Sequence, residues 1–251
     1  MRTKITLMQL GCVIAVVAVW ELAARSGIAP PALLPPFSDV VVQFVGELGR
    51  PELWTALWQT VTGAFQGLAA AALVGIPLGL LAGSWDLLER SCRILIDFGR
   101  SFPAIALIPV LLLLFGATVT TKSVIVFIAC MFPLFIQTLY GARRIEPSIV
   151  ETARSYRIPR RLHILRVALP SATPSIMTGL RLAATTAVLV AVGSELIGGI
   201  PGIGQQLSVA QQAGATALAF AYILLAGVLG FLVSRGSEAL ESRFLRWRPS
   251  N

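Results

Sequence analysis

Six long apolar runs separated by polar segments are the feature that most limits what this chain can fold into. The runs lie at about 5–24, 56–83, 103–119, 123–142, 172–194 and 216–234. A helix crosses a bilayer with about 20 apolar residues, and it satisfies its own backbone hydrogen bonds there. Only 13% of the 251 residues are charged, whereas a soluble domain has roughly 25%. The sequence therefore predicts an all-α, polytopic membrane protein, a single domain over 1–251 with about six transmembrane helices.

The first run, 5–24, has two interpretations. It follows Arg2 and Lys4, and a basic start before an apolar run is also typical of a signal peptide. Its length, together with the polar residues Gln9 and Glu21 within it, favours an uncleaved first span.

The Lys and Arg residues lie mostly on one side of the predicted spans. If the N-terminus is inside, sixteen of the 20 basic residues fall in inner segments, and the outer segments hold only Arg25, Arg50 and Lys122. Cytoplasmic loops carry such an excess, so we expect both termini in the cytoplasm and the chain in a bacterial inner membrane, in contact with lipid. This topology accounts for the net charge of +8, and no nucleic-acid partner is indicated.

The second run contains small residues at intervals of four. They are Gly63, Gly67, Ala71, Gly75, Gly79 and Gly83. Positions four apart lie on one face of a helix, and small residues let two membrane helices approach closely. We expect this face to pack against another helix, either within the subunit or across a dimer.

The segment 143–170 is basic and prone to form helix, in contrast to the apolar runs around it. Pro147 and Pro159 suit the first turns of two short helices, and a residue before a proline avoids the helical conformation. A break is therefore predicted at Arg157 and Ile158. On composition alone, this loop either lies on anionic lipid headgroups or docks a cytoplasmic protein.

The same segment carries a sequence signature. Its positions, in order, are Glu151, Thr152, Ala153, Arg157, Leu169 and Pro170. The spacing resembles the signature loop of ABC-importer permeases, the membrane subunits of binding-protein-dependent transport systems, which has Glu-Ala-Ala, then Gly, then Leu-Pro. LLPPFSDVV near 33–41 and TGLRLA at 178–183 are similar to the subgroup that imports nitrate, sulfonates, taurine and related small solutes. The likeness runs from about residue 28 onward.

The resemblance implies a subunit that forms the translocation pathway and has no ATPase activity of its own. A dimer of cytoplasmic ATP-binding subunits would bind ATP and Mg²⁺ and would dock on 143–170, the coupling loop. The implied docking residues are Glu151, Thr152, Ala153, Ser155, Tyr156, Arg157 and Ile158. A homodimer of this chain and an extracytoplasmic solute-binding protein complete the expected assembly. The chain shows no P-loop lysine, because Lys4 and Lys122 both follow Thr rather than Gly, and we expect no cofactor or metal in it.

Two positions depart from the family signature. Thr152 replaces an Ala, which is a small change in size. Arg157 replaces a Gly, and a residue with a side chain pays roughly 1 kcal/mol or more at positive φ. Either Pro159 makes the turn by another route, or the loop is set at a different angle.

Arg181 and Glu195 are the charges within or beside the fifth run. They are nearly four helical turns apart, so both face about the same way. Either they anchor the helix at the two membrane interfaces, or they face the solute pathway or a dimer partner, where Arg181 would attract an anionic solute.

Two other functions remain open on the sequence. A secondary transporter tends to show ionisable or broken helices at the midplane. A lipid-interacting assembly factor or membrane enzyme would show a buried cluster of Asp, Glu or His, whereas the acidic residues in the spans are Glu21 and Glu195 at their margins. The GGIPGIG stretch at 198–204 is expected to be an external turn, with contact to a binding protein as a second interpretation.

Overall fold

The structure, a computed structural model, describes residues 2–27, 30 and 32–245. The regular elements in these ranges are helical. The α-helices are α1 (Arg2–Arg25), α2 (Phe37–Leu48), α3 (Pro51–Ser84), α4 (Asp86–Ser101), α5 (Ile108–Phe115), α6 (Val119–Arg143), α7 (Pro147–Ser155), α8 (Arg160–His163), α9 (Leu169–Gly198), α10 (Ile203–Gln212) and α11 (Thr216–Phe244). A 3-10 turn, Ala104–Leu107, precedes α5, and a π turn, Ile164–Ala168, joins α8 to α9.

Long apolar helices form most of the described ranges. Those long and apolar enough to cross a membrane are Thr6–Arg25, Pro51–Ser84, Val119–Arg143, Arg161–Gly198 and Thr216–Arg243. A sixth crossing is available to the pair Arg93–Ser101 and Ala104–Phe115, which are bent by 80° relative to each other. The prediction of an all-α, polytopic membrane fold with about six spans is confirmed.

Glycines bring α3 and α6 into close contact along their length. A Cβ added at Gly67 would lie 2.6 Å from the Ser123 carbonyl oxygen, and one at Gly79 would lie 2.6 Å from that of Phe135. The contacts follow the same order along both helices, so α3 and α6 run parallel. The small-residue face of the second run therefore lies against α6 within the subunit, where the missing side chains allow the backbones to approach.

The third member of the central bundle is α9, which runs antiparallel to α6. A Cβ at Gly141 would contact Ala172 and Ser175, and one at Gly179 would contact Gln137. The core between these helices is built of small and branched apolar side chains, including Ala71, Ile125, Val126, Cys130, Leu134, Ala183, Ala187 and Ala191. We call the end of the bundle at which α3 and α6 finish the loop end, because α7 follows there, and the other end the far end.

The segment 103–119 differs from the predicted single span. Because α3 and α6 run parallel, the chain between them has to return from the loop end to the far end, and α4, the 3-10 turn and α5 make this return. Pro103 follows the end of α4 and lacks the N–H that would continue it, and Pro109 lies in the first turn of α5, where proline is tolerated. The apolar run supplies only one arm of a bent crossing.

The basic segment also differs from its prediction in the second half. It was expected to end in a separate short helix, but α8, the π turn and α9 form one run, Arg161–Gly198, of 38 residues. Pro170 lacks an N–H for the preceding turn, and the Leu169 N–H bonds the Ile164 carbonyl five residues back, which widens the helix there without ending it. The fifth span therefore begins inside the basic segment.

The first helix, α1, is attached to the bundle near its C-terminal end. The Trp20 indole N–H donates to the Pro35 carbonyl oxygen at 3.1 Å. Its ring packs against Phe37 and Phe220, with centroids 5.4 and 5.6 Å away. Most of the apolar surface of α1 is exposed, as expected for a span that faces lipid.

Candidate functional site

The predicted docking residues lie on and just after α7, at the loop end. Glu151, Thr152, Ser155, Tyr156 and Arg157 are exposed, whereas Ile158 is half-buried and Ala153 is buried. The helix thus turns a polar face away from the bundle and a small apolar residue toward it. Tyr156 is the most prominent member, with 79% of its surface exposed.

The turn after α7 is a Schellman motif with Arg157 at the position that usually holds glycine. The Ile158 N–H donates to the Ala153 carbonyl oxygen at 3.1 Å, five residues back, which is the defining bond of that motif. Arg157 has φ of 48° and is the non-glycine residue with positive φ in the described ranges. Pro159 follows and prevents α7 from continuing. The loop keeps the signature geometry, and Arg157 bears the strain that a glycine would avoid.

The loop end is tied together beneath α7. A cavity of about 350 Å³ separates α7 from the end of α3 and is lined by Ser84, Trp85, Val150, Ala153, Arg157, Ile158, His163 and Ile164. Beside it, the Arg143 guanidinium pairs with the Glu89 carboxylate at 3.3 Å, which joins the end of α6 to α4. The cavity therefore lies between α7, the end of α3 and the start of the helical run that leads into α9.

The structure does not place Arg181 and Glu195 on one common surface. The Arg181 guanidinium pairs with the Glu241 carboxylate of α11 at 3.2 Å, and its side chain is 37% exposed. Thr178, one turn earlier, also approaches Glu241, at 3.5 Å. Arg181 thus joins the middle of α9 to the C-terminal part of α11, with a partner that the sequence did not indicate.

Glu195 is buried at the far end, in an ion pair with Lys122. Both side chains have 0% exposure. The Lys122 ammonium also donates to the carbonyl oxygens of Gln59, at 2.9 Å, and Pro201, at 2.8 Å. Glu195 is therefore neither an interfacial anchor nor exposed to a pathway within this subunit, and Lys122 does not lie in an outer loop.

The second oxygen of Glu195 bonds to the start of α10. It accepts from the Gly204 N–H at 2.9 Å and from the Thr60 hydroxyl at 3.0 Å. The Thr60 hydroxyl in turn accepts from the Ile203 N–H at 3.0 Å. We call Lys122, Glu195, Thr60 and the backbone groups that they bond the buried network. It joins α3, α6, α9 and α10.

Sequence reasoning missed this network because each member looked ordinary alone. Lys122 stands at the edge of an apolar run, where a charge in a loop is expected. A single threonine such as Thr60 within an apolar run gives no indication of a buried ion pair. The signal that could have indicated the network is the glycine pattern of 198–204. The stretch was expected to be a turn, but only Gly199 to Gly202 lie between helices, and α10 begins at Ile203.

Comparison with known proteins gives matches over most of the chain. The family described as binding-protein-dependent transport system inner membrane component matches residues 75–246. The putative aliphatic sulfonates transport permease protein SsuC of Escherichia coli (strain K12) is 34% identical over 241 residues, which cover 94% of this chain and 90% of that protein. The taurine transport system permease protein TauC of the same organism is 28% identical over 245 residues, covering 96% of this chain and 89% of TauC.

A solved structure shares the fold. The match is to a chain of the MetNI methionine ABC transporter in an inward-facing conformation, with a TM-score of 0.66 and 18% identity, over 78% of this chain and 98% of that chain. The resemblance read from the signature loop is confirmed by the family match. This chain belongs to the family of binding-protein-dependent transport system inner membrane components, the permease subunits of ABC importers.

Proposed function

We propose that two copies of this chain form the pathway of an importer driven by a pair of cytoplasmic ATP-binding subunits. ATP and Mg²⁺ bind to those partner subunits, and an extracytoplasmic solute-binding protein delivers the solute. The observation that carries the coupling part of the proposal is the exposed polar face of α7, which ends in a Schellman turn at the loop end.

The exposed face of α7 is suited to docking in a groove of the partner. This face offers a carboxylate, two hydroxyls and a large amphipathic ring, which belong to Glu151, Thr152, Ser155 and Tyr156. All four side chains are exposed. Tyrosine combines a large contact area with little conformational entropy to lose, which suits an interface anchor. Docking there requires the loop end to be cytoplasmic, in agreement with the excess of Arg in the inner segments.

The connection from α7 into the membrane supports coupling. The turn at Arg157 leads directly into Arg161–Gly198, a continuous helical run of 38 residues, about 57 Å long. When ATP closes the partner subunits, a displacement of α7 is carried along this helix to the far end of the bundle. The cavity beneath α7 leaves room for that displacement.

A second copy of the chain is needed to enclose a pathway. The central bundle of α3, α6 and α9 is packed with apolar side chains rather than open. Large apolar side chains of the described α5 and α9 are left exposed, including Val110, Leu113, Leu114, Leu182 and Leu189. A homodimer about a two-fold axis covers part of this surface and creates the pathway between subunits, while lipid covers the rest.

The solute is proposed from the relatives. SsuC and TauC are named for aliphatic sulfonates and taurine, and both names point to small sulfonates. We propose a small solute that carries a sulfonate group, and selectivity is expected to lie largely in the binding protein.

Co-purification with the ATP-binding subunit of the same system tests the coupling proposal. The chain is expressed with that subunit, extracted in detergent, and compared with Glu151→Arg and with Glu238→Arg. The control makes the same change of charge at an exposed residue in the C-terminal part of α11. The native chain and Glu238→Arg should retain the ATPase, and Glu151→Arg should lose it. Equal retention by all three chains would contradict docking through α7.

A further inference from the structure

The buried network at the far end has no role in the function proposed above. Lys122 lies in the first turn of α6, and Glu195 lies in the last turn of α9. A cation at a helix N-terminus and an anion at a C-terminus oppose the helix dipoles. The dipoles of their own helices therefore do not explain why a Lys and a Glu occupy these positions. The segments that the two side chains join are the remaining explanation.

The donors of Lys122 match three acceptors from three segments. The ammonium has three N–H groups, and the acceptors are the Glu195 carboxylate, the Gln59 carbonyl of α3 and the Pro201 carbonyl between α9 and α10. Charge alone would be satisfied by Glu195. The two carbonyls make the site specific for a group that only donates.

Glu195 and Thr60 bond the first turn of α10. The first N–H groups of a helix have no partner within it. Here the Gly204 N–H bonds to Glu195, and the Ile203 N–H bonds to Thr60. The two side chains come from α9 and α3, so the start of α10 is attached to both spans.

Glycines at three positions make room for the network. A Cβ at Gly202 would overlap the Glu195 carboxylate, one at Gly204 would overlap the Val192 carbonyl, and one at Gly63 would lie 2.5 Å from Lys122 Cδ. Gly202 also has φ of 154°, which side-chain-bearing residues rarely adopt. Close packing around the buried charge pair therefore explains Gly202 and Gly204 of the glycine-rich stretch 198–204.

We propose that Lys122 and Glu195 are positioning residues for transport, which fasten α10 and the turn 199–202 to α3 and α6. The far ends of α3, α6, α9 and α10 then move as one body when α7 is displaced. Opening and closing of the pathway at this end takes place between the two copies of the chain and not between α9 and α3 of one copy.

The physical reason is that a buried charge pair does not separate gradually. Parting α10 or the end of α9 from α3 and α6 would leave a buried ammonium or carboxylate without its counter-ion, which is strongly unfavourable. Breaking one partner by mutation should therefore raise the population of detached α10 by roughly 100-fold or more. This inference rests on the proposed function for its consequence in transport, but its geometric part is measured separately.

Spin labels on α10 and α3 measure the attachment. Thr55→Cys and Val209→Cys are introduced at exposed positions in a chain whose three native cysteines, Cys12, Cys92 and Cys130, have been replaced by Ala, and the labelled chain is assembled with its ATP-binding subunits. The native network should give one narrow distance distribution. Lys122→Met should add a second, longer distance, while Thr138→Val, a buried polar position outside the network, should leave the distribution narrow.

A transport assay distinguishes a positioning role in transport from a role in folding alone. Lys122→Met should keep ATP hydrolysis by the assembled complex but lower the amount of solute imported per ATP hydrolysed. A charge-reversed pair, Lys122→Glu with Glu195→Lys, should not restore it, because a carboxylate at 122 would face the carbonyls of Gln59 and Pro201. Restoration by that pair would overturn the positioning role assigned to the donors.

A milder variant covers the case in which Lys122→Met does not fold. Thr60→Val removes the bond to the Ile203 N–H and leaves the ion pair in place, and it should broaden the distance distribution in the same direction but less. An unchanged distribution in Thr60→Val, and in Lys122→Met where that variant folds, overturns the inference. Loss of assembly by the native chain itself would instead contradict the proposed function, so the two failures can be told apart.

Discussion

Replacing Gly67 by Ala tests the close packing of α3 on α6. A Cβ at Gly67 lies 2.6 Å from the Ser123 carbonyl oxygen and 2.6 Å from Val126 Cβ. Ordinary contacts begin near 3.4 Å, so the helices have to separate by roughly 0.8 Å at this point, which forfeits about a quarter to a half of each van der Waals contact that opens. Overpacking of this kind costs about 1–3 kcal/mol.

Gly227→Ala is the matched control. Gly227 lies in α11, another long apolar helix, and nothing is within 4 Å of a Cβ placed there. Both substitutions gain about 1 kcal/mol from the higher helix propensity of Ala, so this contribution cancels when the two variants are compared. We expect the free energy of unfolding of Gly67→Ala to be about 1–3 kcal/mol lower than that of Gly227→Ala.

The assay is reversible unfolding in mixed micelles of a mild detergent and SDS, followed by tryptophan fluorescence. The unfolding free energies of the two variants are compared with that of the native chain. Equal values for Gly67→Ala and Gly227→Ala would refute the argument that the glycine face sets the distance between α3 and α6.

Three further predictions use the same unfolding assay. Arg157→Gly should raise the free energy of unfolding by about 1 kcal/mol, because glycine adopts the positive φ at this turn without strain. Lys122→Met should lower it by about 3–5 kcal/mol, because it leaves Glu195 buried without its counter-ion, and adding Glu195→Gln should recover much of the loss. Arg181→Ala should lower it by less than about 1 kcal/mol, because the pair with Glu241 is partly exposed, and solute uptake should be unchanged.

Each of these predictions has a contradicting result. A lower stability of Arg157→Gly would mean that the arginine side chain makes a contact worth more than the backbone strain. Additive losses in the Lys122 and Glu195 double variant would mean that the two charges do not interact. Loss of uptake by Arg181→Ala, with assembly intact, would assign that guanidinium to the solute pathway.

The helical fold could be predicted from the sequence because apolar length is a local property. A run of about 20 apolar residues leaves the backbone few alternatives in lipid, and the glycine period of the second run gives its contact face directly. The bent crossing could not be predicted in the same way. Whether Pro103 ends a span or kinks one depends on where α3 and α6 lie, and their parallel arrangement is a tertiary fact.

The coupling loop could be predicted from the sequence, whereas the buried network could not. The coupling loop is continuous in sequence, so its signature positions could be read together, including the place of Arg157 at the turn. The buried network brings Thr60, Lys122 and Glu195 together from three helices. The spacing between such residues carries no signal in a single sequence, and the glycines that accommodate them were interpreted as a turn.

Photo-crosslinking in the membrane shows whether α7 docks on an ATP-binding subunit. A photoreactive residue replaces Tyr156, the exposed residue that follows α7, or Leu240, an exposed apolar residue in the C-terminal part of α11. The chain is co-expressed with its ATP-binding subunit and illuminated in the membrane. We expect position 156 to capture the ATP-binding subunit with a yield that changes with ATP, and we expect no capture at position 240. Capture at 240 alone, or at neither position in a correctly inserted chain, would rule out docking of the ATP-binding subunit on α7.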